Sequence, residues 1–133
     1  MTINAIETFR FEPGVNRVTS DSLAVTIPSG VTSKEELLHV LAIGLAIPHF
    51  GFNWDALEDS LRDLSWVSAY AVLIIHDELP HLAPTDLKNY LEILVSAAAT
   101  WRLHAQEHSL LAVFPPTAYE AVVRLVGNYS PIT

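Results

Sequence analysis

Cysteine is absent from the 133 residues, so no disulfide can form and no thiolate can hold a metal. Glycine is scarce, five residues in all, and the chain has neither a Gly-rich phosphate loop nor a Gly-x-Ser-x-Gly nucleophile elbow. Basic residues are few: seven Lys and Arg stand against fifteen Asp and Glu, for a net charge of −8. Nucleic-acid phosphates are neutralised by Lys and Arg, so this balance argues against a nucleic-acid partner. No apolar run approaches the roughly 20 residues of a membrane span. Met1 to Arg10 has no basic start followed by an apolar core, so it is not read as a secretory signal. These absences together suit a reducing cytoplasm and no membrane partner.

What is present is apolar. Half of the residues are hydrophobic and 17% are charged, enough for a sizeable core and too little charge for disorder. The length fits one domain over residues 1–133. The acidic surplus has two readings: solubility alone, or steering toward a basic protein.

Six histidines raise the question of a metal. His76-Asp77-Glu78 with His81 is one cluster, and His104 with His108 is an i, i+4 pair. Neither shows a third ligand, and none follows the spacing of a metalloprotease helix. Solvated loop histidines are the expectation, with no cofactor.

The apolar pattern gives a strand–helix–helix–strand–helix–strand order. Leu23 to Ile27, Ala69 to Ile75 and Ser109 to Phe114 read as three strands. The Ala69 run is apolar on both parities, as a central strand covered on both faces is. Ser33 with Glu36 fits a capping box, followed by a stripe of Leu37, Leu38, Val40, Leu41 and Leu45. Pro84-Thr85-Asp86 opens a helix with Leu87, Leu91, Leu94, Val95 and Ala98 inward. Thr117 with Glu120 fits a second capping box, before a short helix ending at Gly127. Thr8 to Phe11 alternates and Glu12-Pro13-Gly14-Val15 reads as a turn, so a hairpin is expected from about Ala5 to Thr19. Strands separated by such helices imply βαβ units, a parallel sheet of three strands and helices on its faces.

The most informative stretch runs from Ile47 to Leu64. Pro48 and Gly51 make it begin as a tight loop, and Asn53 is a good N-cap. Trp54, Leu57, Leu61 and Leu64 fall on one helix face; Asp55, Glu58, Asp59 and Arg62 fall on the other. Asp55 and Asp59 are one turn apart, a like-charge spacing that costs about 0.2–0.5 kcal/mol. Folding gives no reason to place them so, and a basic partner does. A solvated charged face is the other reading. An acid/base pair on consecutive turns of a convex helix has no pocket to shift a pKa, so catalysis is not expected. Trp54 reads as core, while Trp66 fits core or interface equally.

The run Pro48-x-Phe50-Gly51-x-Asn53-Trp54-Asp55-Ala56-Leu57-x-Asp59-x-Leu61 resembles the barstar family, intracellular protein inhibitors of bacterial ribonucleases. The resemblance extends more weakly over about 23–114, leaving 1–20 and 116–133 as peripheral additions. It implies an α/β barstar-like fold, without cofactor, monomeric when free. It also implies that the loop and acidic helix enter a nuclease active site, where carboxylates stand in for RNA phosphates. Asp55 and Asp59 match the family's two inhibitory aspartates, and Asn53 its motif asparagine. The partner-binding set expected from this is Phe50, Gly51, Asn53, Asp55, Glu58, Asp59 and Arg62, facing a basic ribonuclease or nuclease-like protein. The chain departs from the best-known member in three ways. Its loop is one residue shorter, Glu58 replaces an aromatic between the aspartates, and Ala97 to Ala99 stand near where a later helix supplies an acidic contact. A module of the same fold with a non-nuclease partner is the alternative.

Overall fold

The structure, a computed structural model, describes residues 5–13 and 21–129. Its four strands are β1 (Phe9–Phe11), β2 (Ser22–Ile27), β3 (Ala71–His76) and β4 (Ser109–Phe114). Its four α-helices are α1 (Lys34–Gly44), α2 (Trp54–Asp63), α3 (Pro84–Leu103) and α4 (Tyr119–Val126), with short 3-10 turns at Ala5–Thr8 and Pro116–Ala118.

The sheet is parallel throughout, in the order β1-β4-β3-β2. The expected three strands are there, with β3 between β2 and β4. The expectation of only three is corrected by β1, where Phe9 pairs with Ala112 and Phe11 with Phe114. Of the expected Ala5–Thr19 hairpin, the first arm is this strand, and it pairs in parallel with β4; residues 14–20 lie outside the described residues. Three consecutive residues sufficed because Phe9 lies 5.1 Å and Phe11 6.0 Å from the Phe114 ring, and Phe11 meets Tyr119 at 5.0 Å. Aromatic pairs of this kind add about 0.5–1.5 kcal/mol each beyond the area they bury.

Strand residues of one parity, among them Val25, Val72, Ile74 and Phe114, join the buried stripes of α1 to α4 in one core. The other parity forms a separate small cluster of Leu73, Ile75 and Val113 with Ala24 and Leu111, which contains no helical residue. Helices were expected on the sheet's faces; among the described residues all four contribute to one. The double burial of β3 holds nonetheless, since Val72 to Ile75 are all buried. Gly44 brings α1 against β2: a Cβ there would collide with Val25 Cγ2.

Two local readings change. His76, expected in a solvated exit loop, is the last residue of β3 and only 3% exposed. Its Nδ1–H donates to the Val113 carbonyl at 2.9 Å, and its Nε2 accepts from the Tyr90 hydroxyl at 2.7 Å. Both polar ends being satisfied is what permits burial. The second capping box is not formed, since Ala118 precedes α4 without a side-chain cap. Of the first box the Ser33 cap forms, with the Glu36 amide donating to Ser33 Oγ at 3.1 Å, while the Glu36 carboxylate accepts from the Thr32 and Ser33 hydroxyls.

Candidate functional site

The loop between α1 and α2 turns without using its glycine. Ala46, His49 and Phe52 have φ of 52°, 51° and 52°, while Gly51 is not in that left-handed region. A bulky residue at positive φ is an outlier that costs on the order of 1–3 kcal/mol, and such residues gather at functional sites. The strain is held by neighbours: Phe50 packs on the core and meets Phe52 at 4.9 Å, and Phe52 meets His39 of α1 at 4.5 Å. Phe52 is 46% exposed.

Asn53 then starts α2. Its Oδ1 accepts from the Ala56 amide at 2.8 Å and its Nδ2 donates back to the Gly51 carbonyl at 3.2 Å. One side chain therefore caps the helix, as expected, and also ties it to the loop, which the sequence did not reveal. At the far end Leu64 closes the helix at φ 48°, its N–H donating to Ser60 O.

Leu57, Leu61 and Leu64 are fully buried, which fixes the rotation of α2. Trp54 is only half-buried: its indole N–H reaches Asp86 of α3 at 3.3 Å, and the Lys34 ammonium lies 5.4 Å from its ring. Trp66 is also half-buried, donating to the Leu45 carbonyl at 2.9 Å.

The opposite face of α2 separates the acidic residues into two kinds. Asp55 and Asp59 are exposed, and neither carboxylate has a hydrogen bond or ion pair to a described residue. Glu58 is half-buried and engaged: Ser96 Oγ of α3 donates to it at 3.1 Å, and Arg62 lies 3.8 Å away. Glu58 was expected to be as accessible as the aspartates, and it is not. Arg62 is exposed and turned toward Glu58. The loop and α2 thus carry Phe50, Gly51, Asn53, Asp55, Glu58, Asp59 and Arg62 on one continuous segment, with two exposed carboxylates at its centre.

Between α2 and α3 runs a groove of about 280 Å³, lined by Trp54, Asp55, Glu58, Asn89, Glu92, Ile93 and Tyr129. Its α3 residues and Tyr129 were not among those expected from the sequence. The signal was present in α3: Asn89, Glu92 and Ser96 recur at helical spacing beside the apolar stripe. Tyr129 sits past the last helix and gave none. Its hydroxyl is held above its ordinary pKa by burial first, then by the charges of Glu92 and Glu58.

Among the described residues no group of three or more His, Cys, Asp or Glu could hold a metal ion, and no helix is long and apolar enough to cross a membrane. The family model described as "Barstar (barnase inhibitor)" matches residues 24–115. No curated protein and no solved structure matches the chain. The matched span begins in β2 and ends just after β4, so it holds the loop, α2 and α3, while β1 and α4 lie outside it. With well over half of its residues inside that match, and with the parallel α/β fold that the motif implied, the chain belongs to the barstar family, whose members are inhibitors of barnase-type ribonucleases.

Proposed function

We propose that this protein binds a basic, barnase-type ribonuclease and masks its active site with the 47–52 loop and the acidic face of α2. The observation that carries the reading is the pair Asp55 and Asp59. Two carboxylates one turn apart, exposed and without a partner among the described residues, weaken an isolated helix slightly and gain only when a cationic site meets them. In this reading they take the place of RNA phosphates, Asn53 holds loop and helix in register, and the exposed Gly51 and Phe52 form the leading edge, braced from behind by Phe50. Glu58 and Arg62 flank the centre as a neutral pair, since their charges are already directed at each other. The protein acts in the cytoplasm as a monomer and a single domain over 1–133, protecting its cell from a nuclease toxin.

The test is inhibition of barnase cleaving a fluorogenic RNA substrate. A stoichiometric loss of activity at micromolar protein is expected, weakening as salt rises because steering by exposed charge is screened over about 8–10 Å. Full barnase activity at a large molar excess overturns the ribonuclease reading and favours a module with another partner.

A further inference from the structure

We propose that the cleft between α3, the start of β4 and the turn before β1 binds a phosphate monoester with a flat apolar substituent, its phosphate held by Arg10 and Arg102. The site is separate from the acidic face of α2 and does not depend on the reading above.

The cleft follows from the register of the sheet. β4 begins at Ser109, but its pairing with β1 begins only at Ala112. Ser109 to Leu111 therefore have no strand neighbour on that side among the described residues. The turn Ala5–Thr8 fills the gap only in part and leaves a cavity of about 190 Å³. Buried Ala98 and Leu110 form its apolar floor, while Glu7, Arg10, Arg102 and Ser109 supply charge and a hydroxyl.

The chain has only seven Lys and Arg, and two of them line this one cavity. Lys34 is engaged over Trp54 and Arg62 at Glu58, but Arg102 is exposed and makes no hydrogen bond or ion pair to a described residue. In the last turn of α3 it offsets the helix dipole, a role that does not require it to share a cavity with Arg10. Arg10 is set in place from within: its Nη1 donates to the Phe9 carbonyl at 3.1 Å and to the Glu7 carbonyl at 3.5 Å. Its other guanidinium N–H groups remain for a ligand. Two guanidinium groups in one cavity repel each other, and a dianion offsets both where a monocarboxylate offsets one. A phosphate also has three acceptor oxygens, enough for both arginines and the Ser109 hydroxyl. Glu7 pairs with neither arginine and opposes the anion, leaving the lining cationic by one charge.

A second lobe of about 110 Å³ adjoins the first, and Ala98, Arg102, Ser109 and Leu110 line both. Its walls are Tyr70, Trp101 and His108. They are already fixed: the Trp101 indole donates to the Leu61 carbonyl at 2.8 Å and the Tyr70 hydroxyl to the Ala105 carbonyl at 2.5 Å. The His108 ring meets Trp101 edge-on at 5.1 Å. Aromatic walls held in this way suit a flat apolar group attached to the phosphate. Arg102 lies roughly 24 Å along α3 from Asp86, the residue that meets Trp54 at the start of α2. Arg10 lies outside the matched residues 24–115, so this half of the site comes from beyond the family-matched part of the chain.

Phenyl phosphate is the probe, titrated into the full chain at neutral pH and followed by amide-resolved NMR, with inorganic phosphate and phenol as the comparison arms. Saturable shifts are expected at the Ser109 and Leu110 amides. Arg102→Gln should weaken phenyl phosphate about tenfold and Glu7→Gln should strengthen it about threefold, since one change removes an attraction and the other a repulsion. Both side chains are exposed, so both variants keep the fold. Inorganic phosphate should bind at the same amides about tenfold more weakly, and phenol should not saturate. Shifts that do not saturate, binding undiminished in Arg102→Gln, or phenol binding as tightly as its phosphate overturn the proposal. Equal affinity for inorganic and phenyl phosphate overturns the organic ligand and leaves a site for the bare anion. Barnase inhibition should be the same for wild type and Arg102→Gln, and a loss in the variant would overturn the separation of this cleft from the docking face.

Discussion

Acid should loosen this fold through one histidine. His76 is buried between β4 and α3, stacked on Phe114 with ring centroids 4.1 Å apart. A carbonyl can only accept, so the bond to Val113 O puts the ring proton on Nδ1 and leaves Nε2 as the acceptor for Tyr90. A second proton on Nε2 would force the Tyr90 hydroxyl to turn its hydrogen away among apolar groups and would place a cation in the core. Burial accordingly pushes the His76 pKa down from 6.5 to about 4, against a smaller opposing effect of the Val113 bond. The unfolded chain takes up this proton near pH 6.5 and the folded one does not. The stability from neutral His76 is therefore complete above pH 6.5 and is lost as pH falls toward 4, at about 1.4 kcal/mol per pH unit. Over that interval the loss is about 3 kcal/mol, a large part of a small domain's stability. Urea midpoints of wild type and His76→Gln from pH 7.5 to 4 measure it. The variant should be weaker at pH 7.5 by about 1–3 kcal/mol for its imperfectly replaced hydrogen bonds, yet flatter in pH by about 3 kcal/mol. The exposed Glu78, whose pKa is lowered first by the Gly30 amide and then by His81, contributes equally to both proteins and cancels. Parallel pH curves for the two proteins would refute the reasoning.

Four further outcomes are expected. Asp59→Asn should raise the off-rate from barnase strongly, because the partner's cationic groups lose their counter-charge, while its melting point stays level or rises; surface plasmon resonance beside a thermal melt reads both. A fall of many degrees in that melt would make Asp59 structural. Leu57→Ala should cost about 2–5 kcal/mol in urea, as Leu57 is fully buried, and an unchanged midpoint would mean that α2 is rotated differently. Gly44→Ala should cost about 1–3 kcal/mol by calorimetry, because the added methyl must push α1 away from Val25, and a neutral result would contradict the close approach of α1 to β2. Removing the chain after Pro116 should lower the melting point, since it strips Val122 and Val126 from the core; full thermal stability would contradict that packing.

The elements of the family span were legible because each is written in local terms. Apolar repeats of 3.6 and of two, a Ser33 cap and an Asn53 cap act between residues close in the chain, and the structure keeps them. The motif around Trp54 carried the family for the same reason: it is one uninterrupted segment. The fourth strand was not legible, because three residues have no periodicity of their own, and β1 exists through its pairing with β4 a hundred residues away. His76 could not be placed from its polar neighbours Asp77 and Glu78, since its burial depends on Tyr90 and Val113 from two other elements. The same distinction divides the acidic face. Sequence by itself determined that Asp55, Glu58, Asp59 and Arg62 share one side of a helix, a consequence of helical spacing alone. Tertiary structure decided which of those charges are engaged: α3 brings Ser96 to Glu58 and leaves Asp55 and Asp59 without partners among the described residues, because a side chain's spare hydrogen-bonding capacity depends on what other elements bring to it.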